Sequence, residues 1–351
     1  MSTQLAQSSL RVLEEAHFGR CDQAHSRSAP VELREGCAVV VCTRDRPDLL
    51  AGFLDSLAAQ DPRPEQLVIV DASADGRSAD ALAHHPARDA MAHCIRYCRV
   101  DSAAASLTRQ RSLALTMVAT ERLASFDDDI VLLPGCLAAM NVALTEHADV
   151  VGVAASMDNA PGAVPWRWRL RRVLLVVPNL EPGRYFASGV STPWRYTPAG
   201  DALDRGDWLP GGAVAWRTKI VRAVGYPEHF DGYGSGEDLA FSLCMRRFGR
   251  LVTSRRARLL HLQQGGGRPD PRRLAFEMLR NRMQIRRLAQ ADGQGNAIWF
   301  TYAMAMETLI EALDLLRPGR AQRAANYLHG VLDYIWSGAR GAGPASGGEV
   351  A

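Results

Sequence analysis

The chain lacks an uninterrupted apolar run of about 18 residues, the length that a membrane-spanning helix requires. Its N-terminus has no basic region followed by an apolar core, so the sequence predicts no secretory signal. The seven cysteines include no Cys-x-x-Cys pair, and their odd number predicts reduced core thiols rather than a disulfide framework. We therefore expect a cytoplasmic protein, with peripheral attachment at the inner face of the cell membrane left open.

The chain also has little net charge, only +3 over 351 residues, which argues against a nucleic-acid partner. Arginines nevertheless crowd residues 166–172, 246–258 and 268–287. Such runs are typical of solvated helix faces, although they would also suit phosphate groups or an anionic membrane surface. A hydrophobic content of 47% indicates a globular fold.

The order of apolar patterns indicates the fold class. From about residue 36, short β-branched runs alternate with helical periodicity, which predicts βαβ units around a sheet. Buried strands are predicted at Cys37–Cys42, at Leu67–Val70 and before Asp127, and residues 155–206 are predicted to be an irregular binding loop or lid. The predicted organisation is a loose segment, an α/β catalytic domain, a helical extension and a disordered tail, at residues 1–33, 34–290, 291–338 and 339–351.

Polar groups follow three of the predicted strands. They are the turn from Thr43 to Arg46, the single residue Asp71, and the run Asp127-Asp128-Asp129. In an open α/β sheet, ligands bind outside the carboxyl ends of the strands. The three groups therefore predict one ligand site at one edge of the sheet.

The three aspartates stand between apolar segments, and this setting favours a cation. Burying like charges side by side is unfavourable unless a cation or hydrogen bonds compensate. A hard divalent ion such as Mn²⁺ or Mg²⁺, with carboxylate and phosphate oxygens as ligands, would satisfy the run. The alternative is an acidic cluster at a helix N-terminus, where the helix dipole is favourable.

A second acidic pair, Glu237-Asp238, follows a glycine-rich turn and precedes an amphipathic helix. A carboxylate at this position could cap the helix. Because the glycines would let a substrate approach closely, one carboxylate could instead take a proton from an attacking hydroxyl. The local sequence leaves both interpretations open.

Taken together and in order, these motifs resemble glycosyltransferase family 2 over about residues 36–290. The stretch from Val39 to Leu50 is similar to the opening strand and nucleotide loop of that family, and Val70 to Asp75 to its VD-x-S-x-D turn. The aspartate run resembles its DXD motif. Trp208 to Gly212, with Arg217, resembles the acceptor-side Gly-Gly segment, and Gly236 to Asp238 the ED motif.

The resemblance implies a GT-A fold: a Rossmann-like mixed sheet flanked by helices, with a C-terminal helical extension. It also implies transfer of a sugar from a UDP-, GDP- or dTDP-sugar to a hydroxyl of a glycan or lipid-linked acceptor, with inversion, in polysaccharide or glycoconjugate biosynthesis. Asp238, with Glu237 beside it, would be catalytic, and Asp127, Asp129 and His261 would surround the metal. The implied donor-site residues are Thr43, Arg46, Asp71, Arg109, Asp127, Gly211 and Gly212.

One departure from the family concerns Thr108-Arg109-Gln110, where the family often has Ala-Arg-Asn. The longer amide puts the geometry of the sugar pocket in doubt, but not the reaction class. Two rival functions are a nucleotidyltransferase that makes sugar nucleotides and a catalytically silent binding module. The first normally needs a glycine-rich phosphate loop, which Cys42 to Pro47 lacks; the second is disfavoured by the presence of both acidic motifs.

Two later segments leave partners open. Trp166 to Val177 combines tryptophan, arginine and an apolar run, which would suit either a membrane interface or an acceptor-site lid packed on the protein. Aromatic and methionine residues in the helices after about 290 could be core residues or the interface of a homo-oligomer.

Overall fold

The computed structural model describes residues 33–91, 94–160, 164–194, 200–230, 234–263, 270–317 and 319–340. These residues form two compact units. The first consists of the described residues within 1–163, 181–184 and 192–264, and the second of those within 164–180, 185–191 and 265–351. Most of the predicted loose segment and tail, residues 1–32 and 341–351, lies outside the described residues.

The first unit is built on one mixed sheet, whose described strands are β1 Arg34–Thr43, β2 Gln66–Asp71, β3 Ile95–Arg99, β4 Thr120–Asp127, β5 Ile130–Leu132, β6 Val150–Met157, β7 Leu203–Gly206, β8 Ala213–Arg217 and β9 Arg250–His261. Their spatial order is β3-β2-β1-β4-β8-β6-β9-β5, and β7 also pairs with β9. Strands β3, β2, β1 and β4 are parallel, whereas β8 is antiparallel to β4 and β6. The predicted GT-A fold class, a mixed sheet flanked by helices with a helical C-terminal region, is confirmed.

The described helices are α1 Pro47–Ala58, α2 Arg77–Ala83, α3 Arg88–Met91, α4 Leu107–Met117, α5 Cys136–Glu146, α6 Trp166–Val173, α7 Thr218–Val224, α8 Glu237–Met245, α9 Pro271–Ala291, α10 Ala297–Ala312 and α11 Ala321–Arg340. Pro47 opens α1, as its fixed φ and missing N–H predict. Among the described residues, no helix is both long and apolar enough to cross a membrane.

Alternate residues of the central strands pack into two cores, one on each face of the sheet. Val39 and Val41 of β1 pack with Leu50, Phe53 and other residues of α1 and α5. The intervening residue Val40 belongs to the other core, which includes Phe241 of α8. Burial on both faces explains why β1 and β2 are continuous apolar runs rather than alternating ones.

The second unit contains α6, α9, α10, α11 and a 3₁₀ turn at Leu313–Leu316. Because α9 packs against α11, the contacts group α9 with the C-terminal helices, whereas the sequence assigned it to the catalytic domain ending at 290. The prediction that 155–206 is irregular is partly wrong, since α6 and β7 lie within it. Helix α6 is fixed by partners distant in sequence: Arg171 Nη2 donates to Glu307 Oε2 at 2.8 Å, and Arg167 Nη1 to Asp314 Oδ2 at 2.8 Å.

Candidate active site

The candidate site lies where the strand order reverses. From β1 the chain proceeds to β2 and β3 on one side, and then returns to place β4 on the other side of β1. In the register of these strands, Thr43 is opposite Asp71 and Cys42 is opposite Asp127. The three polar groups predicted at strand ends therefore share one edge, beside the topological switch point where open α/β sheets bind ligands.

Three side chains at this edge could hold a metal ion. Asp127 ends β4, Asp129 follows two residues later, and His261 ends β9, which pairs with β5 through Ile130. One ligand atom from each of Asp127, Asp129 and His261 lies within 4.8 Å of the others. His261 Nε2 is 3.1 Å from Asp129 Oδ1. The structure thus brings together the three residues that the sequence predicted as metal ligands.

The position of His261 is fixed through its backbone. Its N–H donates to Asn159 Oδ1 at 3.1 Å, and Asn159 Nδ2 donates to the carbonyl of His261 at 2.9 Å. These two bonds join the end of β9 to the residues after β6. The backbone N–H and carbonyl of His261 are therefore both hydrogen-bonded, and this holds in place the segment that carries the imidazole.

The middle aspartate, Asp128, turns away from this group. It is buried and accepts hydrogen bonds from Thr43 Oγ1 at 2.7 Å and from Arg46 Nη1 at 3.1 Å. Burial raises the pKa of Asp128 to about 6, although Thr43 and Arg46 act in the opposite direction. Two residues predicted to contact the nucleoside, Thr43 and Arg46, thus bind a carboxylate of the protein itself.

Asp71, predicted to pair with a base edge, is completely buried at the end of β2. Its Oδ1 accepts from the N–H of Ser73 at 2.8 Å and from Ser73 Oγ at 2.5 Å, while Oδ2 accepts from Tyr97 Oη at 2.5 Å. The pKa of Tyr97 is raised, mainly because the side chain is buried and secondly because it is hydrogen-bonded to Asp71. Both carboxylate oxygens of Asp71 therefore already have protein donors.

Arg111 in α4 is a site residue that the sequence reasoning missed. It is buried, bonds the buried carboxylate of Glu237 through Nη1, and places Nη2 3.6 Å from Asp127 Oδ1. Arg109, the residue that the sequence favoured, is exposed, and the longer amide of Gln110 donates to the carbonyls of Thr43 and Val70 at 3.3 and 3.0 Å. Arg111 directly follows the segment Thr108-Arg109-Gln110. Only its burial in the folded structure distinguishes it from the exposed Arg109.

Asp238 stands in the first turn of α8, directly after Glu237. Gly236 occupies the N-cap position with φ of 83°, a conformation that suits glycine, and it provides no side-chain cap. The Asp238 carboxylate accepts a bond from the N–H of Gly211. Burial, followed by the negative charge of Glu237, raises the pKa of Asp238 to about 7. A carboxyl group with such a pKa can exchange a proton near neutral pH.

Gly211 and Gly212 have no room for a side chain. A Cβ on Gly211 would lie 2.5 Å from Arg111 Nη1, and one on Gly212 would overlap the carboxylate of Asp127. The backbone of Gly212 also accepts a 3.0 Å bond from the N–H of Asp127. These two glycines therefore let the segment before β8 approach both the metal-binding group and the buried ion pair.

Residues 38–196 match the family model Glycosyl transferase family 2. This match places that part of the chain in glycosyltransferase family 2, and the protein is a glycosyltransferase, as the motifs predicted.

Two solved structures show the fold that the chain shares. One is the mannosyltransferase PcManGT from Pyrobaculum calidifontis in complex with GDP-Man and Mn²⁺, at 15% identity and a TM-score of 0.52, covering 96% of this chain and 97% of that one. Another is GalNAc-T7 with UDP, GalNAc and Mn²⁺, at 13% identity and a TM-score of 0.52, covering 80% of this chain and 58% of that one. No curated protein sequence matches the chain.

Proposed function

We propose that the protein transfers a sugar from a nucleoside-diphosphate donor to an acceptor hydroxyl, with inversion at the anomeric carbon and with a divalent cation at the site. The observation that carries the proposal is the grouping of Asp127, Asp129 and His261 within 4.8 Å beside the switch point of the sheet. Support for the donor class comes from the two structures of the same fold, whose complexes contain GDP-Man or UDP together with Mn²⁺.

The three side chains fit a divalent cation by their chemistry. Two carboxylates and one imidazole offer oxygen and nitrogen ligands that suit Mn²⁺, and the carboxylates alone suit Mg²⁺. Asp128 is occupied by Thr43 and Arg46, which leaves Asp127 and Asp129 as the acidic ligands. A bound cation would neutralise the charge that develops on the departing diphosphate.

Asp238 is the proposed general base. As the acceptor oxygen attacks the anomeric carbon, its proton passes to the Asp238 carboxylate and a new C–O bond forms. The bond from that carbon to the diphosphate oxygen breaks, and its electron pair leaves with the nucleoside diphosphate. The N–H of Gly211 orients Asp238, and Arg111 compensates the charges of Glu237 and Asp127.

Glu237 has a different proposed role from Asp238. Its carboxylate is buried against Arg111, so it holds the start of α8 in place rather than facing the acceptor. The acceptor is proposed to be a glycan or a lipid-linked saccharide, as the resemblance to the family implies. Residues Trp208 to Gly212, which precede β8, are the proposed acceptor-side segment, and Trp208 Nε1 is held by the carbonyl of Thr192 at 3.1 Å.

A donor screen tests this proposal. UDP-, GDP- and dTDP-sugars are incubated with the full chain, with and without Mn²⁺ or Mg²⁺, and release of the nucleoside diphosphate is measured. We expect at least one donor to be hydrolysed or transferred only with metal present, and we expect Asp238→Asn to lower turnover by about 10²- to 10⁴-fold. Inertness of every donor with metal, together with no donor-induced shift in thermal stability, would contradict the proposal.

A further inference from the structure

The loop after β1 and the turn after β2 are bonded directly to each other at the candidate site. The N–H of Asp45 donates to Ser73 Oγ at 2.7 Å, and the N–H of Ala74 donates back to Asp45 Oδ1 at 3.0 Å. A backbone bond of 3.0 Å, from the N–H of Ala72 to the carbonyl of Thr43, joins the same two segments. We call the two bonds made by Asp45 the loop clasp.

Asp45 has an unusual backbone conformation. Its φ is 56°, in the left-handed region that residues other than glycine seldom adopt and that aspartate tolerates better than most. Such a conformation costs free energy, so it persists only where the surrounding structure determines it. Both the N–H and the carboxylate of Asp45 bond the turn after β2. The loop clasp therefore accounts for the conformation of the loop.

Ser73 is the centre of a hydrogen-bond network whose donors and acceptors can be assigned. Its hydroxyl oxygen lies 2.5 Å from Asp71 Oδ1, and an ionised carboxylate only accepts, so the single hydroxyl proton of Ser73 goes to Asp71. Ser78 Oγ, 3.1 Å away, is then a donor to Ser73, which also accepts from the N–H of Asp45. Ser73 Oγ thus donates once and accepts twice, and its bonding capacity is used completely within the protein.

Asp71, at the other end of this network, is enclosed by the protein. The residue has no exposed surface, and its two carboxylate oxygens accept bonds from Ser73 and Tyr97. Arg99 of β3 fixes the same turn, because its Nη2 donates to the carbonyls of Ser73 and Ala74 at 3.3 and 2.7 Å. Residues of β2 and β3 therefore hold in place the turn to which Asp45 bonds.

The loop after β1 also bonds the aspartate run. Thr43 Oγ1 and Arg46 Nη1 donate to the buried carboxylate of Asp128, the middle residue of that run. The loop therefore has bonds in two directions, through Asp45 to the turn after β2 and through Thr43 and Arg46 to the end of β4. These bonds set the separation between the two polar groups that flank the loop.

We propose that Asp71, Ser73 and Asp45 are positioning residues that fix the loop after β1 for the nucleoside diphosphate, and that Asp71 does not itself pair with a base edge. The inference rests on the proposed sugar-transfer function, because that function assigns the loop to the donor. The nucleoside and the diphosphate are covalently joined, so they need protein groups at a fixed separation. A loop held in place before binding also avoids the entropy cost of ordering it on binding.

Nucleotide binding tests the proposal without any need for turnover. UDP, GDP and dTDP are titrated separately into the full chain with Mn²⁺ present, and the heat of binding is measured by calorimetry. Ser73→Ala removes the hydroxyl that joins Asp71 to Asp45, so we expect it to weaken the binding of the preferred nucleotide by about tenfold. Asp71→Asn keeps an oxygen that accepts from Ser73, so its loss should stay within about threefold.

The order of these two variants distinguishes positioning from direct recognition of the base. If Asp71 paired with a base edge, Ser73→Ala would leave that pairing intact, whereas Asp71→Asn would place an N–H donor where the base needs an acceptor. A larger loss of affinity in Asp71→Asn than in Ser73→Ala would therefore overturn the proposal.

Two substitutions at Asp45 separate the geometry of the loop clasp from the charge of the residue. Asparagine keeps a side-chain oxygen and tolerates the left-handed conformation, whereas alanine offers neither. We expect Asp45→Asn to bind nucleotide as the wild type does, and Asp45→Ala to lose roughly fivefold or more in affinity. Equal losses in the two variants would show that only the charge matters, and would overturn the role given to the clasp.

Ser56→Ala is the matched control for a lost serine hydroxyl. Ser56 Oγ in α1 accepts from the N–H of Leu132 in β5 at 3.1 Å and donates to the carbonyl of Phe53 at 2.8 Å, so it too joins elements far apart in the sequence. Melting temperatures of the two variants compare their effects on folding, whereas nucleotide affinity should fall only in Ser73→Ala.

Unchanged nucleotide affinity in Ser73→Ala, or equal losses in Ser73→Ala and Ser56→Ala, would overturn the inference. The proposed function would stand in either case, because the wild type would still bind a nucleotide with the metal. A wild type that binds none of the three nucleotides would instead contradict the proposed function, on which the inference rests.

Discussion

Arg111 Nη2 lies 3.6 Å from Asp127 Oδ1, while the other end of the same buried guanidinium bonds Glu237. The Arg111 guanidinium thus joins the end of β4, which carries part of the candidate metal-binding group, to the start of α8, where the proposed base Asp238 follows. The contact crosses between elements far apart in sequence. It makes the two acidic motifs parts of one electrostatic unit rather than two independent sites.

Replacing Arg111 by methionine should destabilise the fold strongly. Removing one partner of a buried ion pair leaves an uncompensated charge, which costs about 3–5 kcal/mol. The free energy of unfolding in urea measures this loss. Arg109→Met makes the same change at an exposed position of the same helix, where an ion pair contributes only about 0–1 kcal/mol, so it should shift the free energy by about 1 kcal/mol or less. Equal effects in the two variants would contradict the role given to Arg111.

Adding a methyl group at Gly212 should disable the site, because a Cβ there overlaps the Asp127 carboxylate. We expect Gly212→Ala to lower metal-dependent turnover by at least about tenfold, because a small displacement of a catalytic group lowers the reaction rate strongly. Gly52→Ala is the matched control: Gly52 lies within α1 and a Cβ there meets nothing within 4 Å. This control should keep turnover and raise stability by about 0.5–1 kcal/mol. Full turnover in Gly212→Ala would contradict the close approach of Gly212 to the Asp127 carboxylate.

Turnover should depend on the ionisation of Asp238. Its pKa is raised to about 7, so the proton-accepting form increases as the pH rises through that value. The pH profile of kcat/KM should therefore show an acidic limb with a midpoint near 7. A rate that stays level from about pH 5 to 8 would argue against Asp238 as the base.

The same raised pKa predicts a pH-dependent stability. The folded state holds the proton of Asp238 more tightly than the unfolded state does, so this residue lowers stability as the pH rises from the ordinary carboxyl range to about 7. Above that pH, Asp238→Asn should be more stable than the wild type. The difference should shrink as the pH falls below about 4, where Asp238 is protonated in both the folded and the unfolded state. Thermal melts across this range measure the difference, and a constant gap would contradict it.

The sequence was sufficient for features with local causes. Apolar runs placed β1 and β2, Pro47 placed the start of α1, and the aspartates marked the end of β4. Features that depend on contacts between residues far apart in the sequence were not predicted. Arg111 is recognisable only once α4 packs beside Glu237, and α6 bonds through Arg171 to Glu307, which lies far along the chain. The partners of Asp71 and Asp128 also come from the tertiary structure, so their involvement with Tyr97 and Thr43 could not be predicted.

Binding of Mn²⁺ tests the central claim most directly. The metal is titrated into the full chain with UDP or GDP present, and free Mn²⁺ is followed by electron paramagnetic resonance. We expect saturable binding by the wild type, an affinity lower by at least about 10- to 100-fold in Asp129→Asn, and a much smaller loss in Asp128→Asn. Absence of saturable binding by the wild type with either nucleotide, or equal affinity in Asp129→Asn and the wild type, would contradict the account.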